Sequence, residues 1–325
     1  MSLLAERADR TLAHTDAFAV ASALTRLNAE HAHHDHRHAA SRTLNLVVLA
    51  SEGQDGEAKV RAGLDLLGTH HPARTLVLRE HAEERLDAAL TVSCSVCADA
   101  RASGACSDEI VLLADSGRLE HAGSLVAPLL AKDLYTVLWL ASGDGPGQAE
   151  RELRALCDHV VLSSQVVGLA RARKLLAAGA PVHDVEWGRL ARWRTGIAAA
   201  FAEATRRALI PRIDRVVVSA SGARVAPWLL AGWIAGRLGW TVESARGHAR
   251  CADGAPVRVE VQGARSEQFV LLAAGEEELR VPAARPARPE DAFLDAIGPR
   301  PSFAAGYATA LEALGEECVT AAERA

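Results

Sequence analysis

The sequence contains no stretch of about twenty uninterrupted apolar residues, the length a helix needs to cross a bilayer. Its longest apolar runs, 125–141 and 225–240, are broken by Lys132 and Asp133 in the first and by Arg237 in the second. No membrane association is expected. Positive charge is not in excess either. A formal net charge of -5 and a pI near 6.2 speak against a nucleic-acid binder, which needs a phosphate-neutralising surface. The opening residues, MSLLAERADRTL, mix acids and bases and lack the apolar core of a secretory signal, so a cytoplasmic location is expected. In that compartment six cysteines do not read as a disulfide framework, and most should be small buried hydrophobes.

Catalytic fingerprints are also missing. Gly143, Gly145 and Gly147 lie between an expected strand and an expected helix, but their spacing is not G-x-G-x-x-G. The next strand ends in Leu162, Ser163 and Ser164, without an acid to hold a ribose. There is no G-x-x-x-x-G-K-[ST] and no G-x-S-x-G. No catalytic residue, cofactor-binding residue or metal ligand is therefore assigned, and no cofactor is expected.

What is present is alternation. Ala17 to Glu30 is amphipathic and leads into a histidine-rich linker with His31, His33, His34, His36 and His38. Leu44–Leu49 is a continuous apolar run of strand length, Val60, Leu64 and Leu67 recur at helical spacing, and Thr75–Leu78 is again strand-like. Leu90–Cys97 and Glu109–Leu113 read as a hairpin around 99–104. Helices are expected at 119–130 and 148–156, and strands at 137–140 and 160–162. The fold class is α/β, with a Rossmann-like, mostly parallel N-terminal sheet carrying an antiparallel hairpin. A smaller α/β or α+β domain should follow. Expected domains are 1–40 (helix and His-rich linker), 41–180 (Rossmann-like) and 181–325 (C-terminal).

In the C-terminal part, 189–209 reads as one long helix with Trp193, Ile197 and Phe201 on a stripe. A strand at 215–218 and a buried helix at 225–240 come next. Strands at 257–261, 268–272 and 278–281 look antiparallel, and a proline-rich linker, 282–291, precedes a last helix at 303–318.

Four features are candidate sites. Trp187, Arg189, Arg192, Trp193 and Arg194 crowd together, and Trp and Arg are the residues most enriched at protein–protein hot spots. Trp187, just ahead of the expected helix, is the tryptophan most free to be exposed. Ser219, Ser221, Gly222 and Arg224 join a strand to a helix start, where free N–H groups favour an anion such as a sugar phosphate; an ordinary capped helix start is the other reading. A symmetric loop at 99–104 sets Cys97 opposite Cys106, about 4.5 Å apart at Cα, a geometry for a labile disulfide or for two buried thiols. The histidine tract, with Cys94 or Cys97, could hold zinc or be a solvated linker.

One order of segments carries a resemblance. RTLNLVV (42–48), HPARTLVL (71–78), CSDEIVL (106–112), APLLAKDLYTVLWL (127–140), LARWRTGIAAAF (190–201) and LLAGWIAGRLGW (229–240) follow one another as in the glucose-6-phosphate dehydrogenase assembly protein family, OpcA, which this chain resembles over about 40–282. The resemblance implies a non-enzymatic cytosolic factor. It would bind glucose-6-phosphate dehydrogenase, favour its active oligomer and raise NADPH supply through the oxidative pentose phosphate pathway. The alternatives are a sugar-phosphate enzyme of lactonase or isomerase type, and a metal-binding regulator.

Overall fold

The computed structural model describes residues 5–34, 42–50, 54–95, 105–143, 147–220, 224–264, 267–298 and 306–324. Two compact units, Met1–Val161 and Leu162–Ala325, divide the chain, earlier than the expected boundary at 180/181. The helices Ser164–Val167 and Leu169–Ala177 belong to the second unit. There Arg173 donates to the carbonyl oxygens of Leu311 and Leu314.

The first unit holds strands β1 (Ala5–Leu12), β2 (Leu44–Ala50), β3 (Ala73–Glu80), β4 (Leu86–Ser95), β5 (Ala105–Ala114), β6 (Tyr135–Leu140) and β7 (His159–Leu162). Their spatial order is β1-β4-β5-β3-β2-β6-β7. Pairings β5–β3, β3–β2 and β2–β6 are parallel, while β4–β5 and β1–β4 are antiparallel. The mostly parallel α/β sheet with its antiparallel hairpin is thus as the periodicity predicts. Every residue of β2 is buried, the pattern of a parallel strand covered on both faces. The helices Ala17–His34 and Gln54–His70 flank it in sequence. Asn45 is the polar exception in β2. Its side chain donates to Ala131 O and Thr136 Oγ1 and accepts from Ala131 N–H, so burial leaves none of those groups unpaired.

Strand β1 corrects the reading of 1–40 as helix and linker alone. AERADRTL carries few apolar residues, so it gives no hydrophobic alternation to read; it is an edge strand held by pairing with β4. The hairpin register also differs from expectation. Cys106 lies opposite Cys94 and is bonded to it, with Cα atoms 4.1 Å apart. Cys97 lies outside the described residues. The physical reason is the buried face: Leu86, Ala88, Leu90, Val92 and Cys94 alternate inward from β4 and meet Cys106, Asp108, Ile110, Leu112 and Ala114. Cys97 is out of phase with that set, and a slip of one residue would turn the whole row to the other face.

The second unit contains β8 (Val182–Asp184) and a mixed sheet of β9 (Arg215–Ala220), β10 (Trp240–Val242), β11 (His248–Cys251), β12 (Pro256–Gly263), β13 (Phe269–Ala274) and β14 (Glu277–Pro282). The sheet order is β10-β11-β12-β9-β13-β14. Here β13 and β14 are antiparallel as expected, but β12 runs parallel to the central β9. The helix Ala226–Leu238 supplies part of the crossover that allows this. The single helix expected at 189–209 is three pieces, Val185–Arg189, Ala191–Ala200 and Ala204–Arg207. The expected linker and last helix become helices Pro289–Ile297, Tyr307–Glu312 and Glu316–Arg324. Pro289, which read as linker, sits in the first turn of its helix, where proline's missing N–H is harmless.

Gly232 and Gly236 set the distance between two helices. A Cβ on Gly232 would stand 2.2 Å from Ala310 O, and one on Gly236 would stand 2.8 Å from Thr309 Cγ2. Only glycine lets the helices Ala226–Leu238 and Tyr307–Glu312 approach so closely. Gly232→Ala must push backbone aside, and should lower the free energy of urea unfolding by about 2 kcal/mol or more. For the hairpin, peptide mapping without reductant should recover Cys94 linked to Cys106 with Cys97 alkylatable; a Cys97–Cys106 peptide would contradict the observed β4–β5 register.

Candidate functional site

The Trp–Arg segment begins where β8 meets the helix Val185–Arg189. Asp184 is extended, with φ −94° and ψ 121°, and its side chain accepts from Glu186 N–H as an N-cap. The same oxygen, Oδ1, accepts from Ser164 N–H at 3.0 Å, and Oδ2 accepts from Tyr307 O–H at 2.8 Å. Glu186 accepts from Ser163 Oγ–H on one oxygen and from Arg189 on the other. Arg189 also donates to Ala287 O. The carboxylate oxygens at this centre are thus committed to internal partners.

Burial sets the electrostatics. Asp184 is fully enclosed, and desolvation pushes its pKa up to about 6 against the hydrogen bonds from Ser164 and Tyr307; the nearby Glu186 carboxylate adds to the rise. Tyr307 is driven well above its ordinary value, first by burial and then by Asp184. Burial also brings Arg194 down to about 10.

Of the residues expected to face a partner, the structure places two tryptophans in the core. Trp187 is 0% exposed and Trp193 is 3% exposed. The Trp187 ring centroid lies 5.6 Å from that of Tyr307, and the Arg194 guanidinium stacks 3.6 Å above the Trp187 ring. Arg194 also donates to Trp187 O. Arg189 is half-buried by its own bonds, which leaves Arg192 as the exposed member of the five. The cover over Trp187 comes from Tyr307, in a segment distant in sequence, and the helix Val185–Arg189 packs on the helix Pro289–Ile297, much of which read as linker.

The expected anion loop fares differently. Ser221 and Gly222 lie outside the described residues. Ser219 is buried at the end of β9 with its hydroxyl 3.5 Å from Glu267 O, and Arg224 donates to Glu323 O. The following helix starts at Ala226, with Pro227 in its first turn. Proline removes one of the free N–H groups that an anion would use, and Val225 N–H already donates to Gln165 Oε1. The described part of the loop therefore reads as a tethered helix start.

Two of the free cysteines are held in the thiol form. Burial pushes Cys157 up to about 12 and Cys318 up to about 11, so neither is a thiolate near neutral pH. The histidine tract lies mostly outside the described residues. Among the described residues no group of three or more His, Cys, Asp or Glu side chains is placed to hold a metal, and no helix is long and apolar enough to cross a membrane.

Sequence reasoning missed an apolar groove on the same unit. Ile197 and Phe201, from the helix Ala191–Ala200 and its C-cap, line it with Ile210, Trp233, Arg237 and Leu272. Its volume is about 430 Å³. Ile210 is one of the few large apolar side chains left exposed among the described residues, at 36%. Trp233 is half-buried there, and Arg237 gives the rim a positive charge. An apolar depression with an aromatic wall and a charged rim suits a side-chain anchor from another protein.

A family model for the N-terminal domain of a glucose-6-phosphate dehydrogenase subunit matches residues 64–177. Its companion, for the C-terminal domain of the same glucose-6-phosphate dehydrogenase subunit, matches 180–317. Three relatives are named OpcA and described as OxPP cycle proteins. That of Nostoc punctiforme is 29% identical over 54% of this chain and 40% of its own length. The Synechococcus elongatus relative is 27% identical over 56% and 43%, and that of Synechocystis sp. is 26% identical over 54% and 39%. The chain spans about two fifths of the length of these curated relatives. A solved oxidoreductase from Sinorhizobium meliloti aligns at 12% identity and TM-score 0.36 over 87% of this chain and 98% of its own, a likeness too distant to bear on fold or function.

The buried Asp184 carboxyl makes a pH prediction. Its folded pKa is raised above the unfolded value near 4, so the folded state holds the proton more tightly. Its contribution to stability is full below about pH 4 and is lost as pH rises through about 6. The loss is on the order of 3 kcal/mol. From pH 7 to pH 5 the wild type should gain stability relative to Asp184→Asn, whose amide does not titrate; urea unfolding curves that run parallel would contradict this.

Proposed function

The chain belongs to the OpcA family of glucose-6-phosphate dehydrogenase subunits, an OxPP-cycle family, and on that premise we propose that it is a non-enzymatic assembly factor. It binds glucose-6-phosphate dehydrogenase in the cytoplasm, favours the active oligomer and so raises NADPH supply. The observation that carries this reading is the groove at Ile197, Phe201, Ile210 and Trp233, which lies within the segment matched by the C-terminal family model. An apolar anchor of the dehydrogenase fills it, with Arg237 facing an acidic group at the rim.

Activation follows from differential binding. A factor shifts an enzyme between states only by its tighter affinity for one of them, and each tenfold preference shifts the balance by about 1.4 kcal/mol. The Trp187 cluster acts in this scheme as support for the helix Ala191–Ala200. Arg194 joins the two by stacking on Trp187 from within that helix.

The test titrates the chain into glucose-6-phosphate dehydrogenase of the same organism, following steady-state rate and sedimentation, with the chain alone assayed on sugar phosphates. Saturable activation with a shift to a larger dehydrogenase species is expected, and Ile210→Glu should weaken it about tenfold or more. Asp253→Ala, an exposed change outside the groove, should leave it intact. Absence of any effect on rate or oligomer would refute the proposal, and turnover by the chain alone would replace it with the enzyme reading.

A further inference from the structure

The first unit holds a second cavity, of about 300 Å³, lined by Ala21, Thr25, Asn28, Arg42, Arg74 and Leu129 among others. It lies at the amino-terminal edge of the parallel strands, since Arg42 precedes β2 and Arg74 is the second residue of β3. The helix Ala17–His34 forms one wall, presenting Ala21, Leu24, Thr25 and Asn28 at helical spacing.

Two arginines converge there on one acid. Arg42 donates to Asp108 Oδ1 at 2.6 Å and to Asn28 Oδ1 at 2.7 Å. Arg74 donates through Nε to Asp108 Oδ2 at 2.8 Å and through a terminal nitrogen to Leu129 O at 3.1 Å. Register places Arg74 directly opposite Asp108. The Asp108 side chain is 0% exposed, against 12% for Arg42 and 16% for Arg74. The cluster of three therefore carries two positive charges and one negative in a largely dry setting.

Donors are in surplus as well as charge. Arg42 Nε–H is buried with no acceptor among the described residues, and the terminal Nη1 of Arg42 and Nη2 of Arg74 make no bond to them. Folded proteins pair nearly all such groups, and a buried donor without a partner points to a water or ion in its place. Planar guanidinium forks match oxyanions of carboxylate or phosphate type. The cavity is at the small end of ligand pockets, and its apolar wall of Ala21, Leu24 and Pro128 adjoins the charged one.

We propose that this cavity binds the oxyanion of a small organic molecule, a phosphate monoester or a carboxylate, held by Arg42 and Arg74 with Asp108 fixing the two guanidinium planes. This site is separate from the groove assigned to the dehydrogenase and does not depend on that assignment.

Calorimetric titration of the full chain at low ionic strength with inorganic phosphate, glycerol 3-phosphate and malonate tests it. Saturable one-to-one binding of at least one probe is expected, the phosphate and carboxylate arms telling the two sources apart. Arg42→Gln should weaken it about tenfold or more, the worth of a hydrogen bond to a charged group. Because that change also strips a partner from buried Asp108, the deciding variant is Ala21→Leu. It fills the cavity from the helix, keeps both ion pairs and should abolish binding while circular dichroism shows an unaltered fold. No saturable binding of any probe, or unchanged affinity in Ala21→Leu, would overturn the proposal.

Discussion

One carboxylate organises the second unit. Asp184 takes hydrogen bonds from Ser164 N–H, Glu186 N–H and Tyr307 O–H, so three separate segments share one buried acceptor. A charged group so enclosed is costly unless its oxygens are well satisfied. Here both oxygens are, and the remaining penalty appears as a raised pKa. From this point the chain is oriented: Tyr307 packs on Trp187, Arg194 stacks on the same indole, and the helix Ala191–Ala200 carries Ile197 to the groove. The groove therefore rests on a polar anchor, and its shape depends on that anchor staying made.

A second constraint, purely steric, acts across the same unit. Gly232 and Gly236 allow the helix Tyr307–Glu312 to close on the helix Ala226–Leu238. That approach brings Tyr307 within reach of Asp184, so an apolar contact and a hydrogen bond support one another. Trp233 lies between the two glycines in sequence and is left half-buried at the groove. A single helix thus serves helix packing and lines the groove through residues one position apart.

The centre of the first unit's sheet was legible because β2 and most of β3 are buried on both faces. Leu44–Leu49 and Thr75–Leu78 announce themselves as strand-like runs, and burial enforces the pairing that follows. What was not legible was held by partners rather than by pattern. Strand β1 has too few apolar residues to signal itself and exists by pairing with β4. The hairpin register follows from the phase of Leu90, Val92 and Cys94, a signal that the run of small and apolar residues up to Cys97 obscures in the sequence. Trp187 read as exposed because its cover, Tyr307, lies beyond a proline-rich stretch. Asp184 carried a local cue as an N-cap, yet nothing local could show that Ser164 and Tyr307 would share it. The groove was invisible for the same reason, since Phe201, Ile210, Trp233 and Leu272 come from four elements.

In the proposed factor the second unit's groove is the surface that meets the dehydrogenase. Hydrogen exchange read by mass spectrometry, on the chain alone and with a saturating amount of glucose-6-phosphate dehydrogenase, tests that surface directly. Amides in 191–201, 209–213 and 228–238 should slow in the complex, because a docked partner suppresses the local openings that admit exchange. Unchanged exchange across those three segments, with slowing confined to the first unit, would contradict it.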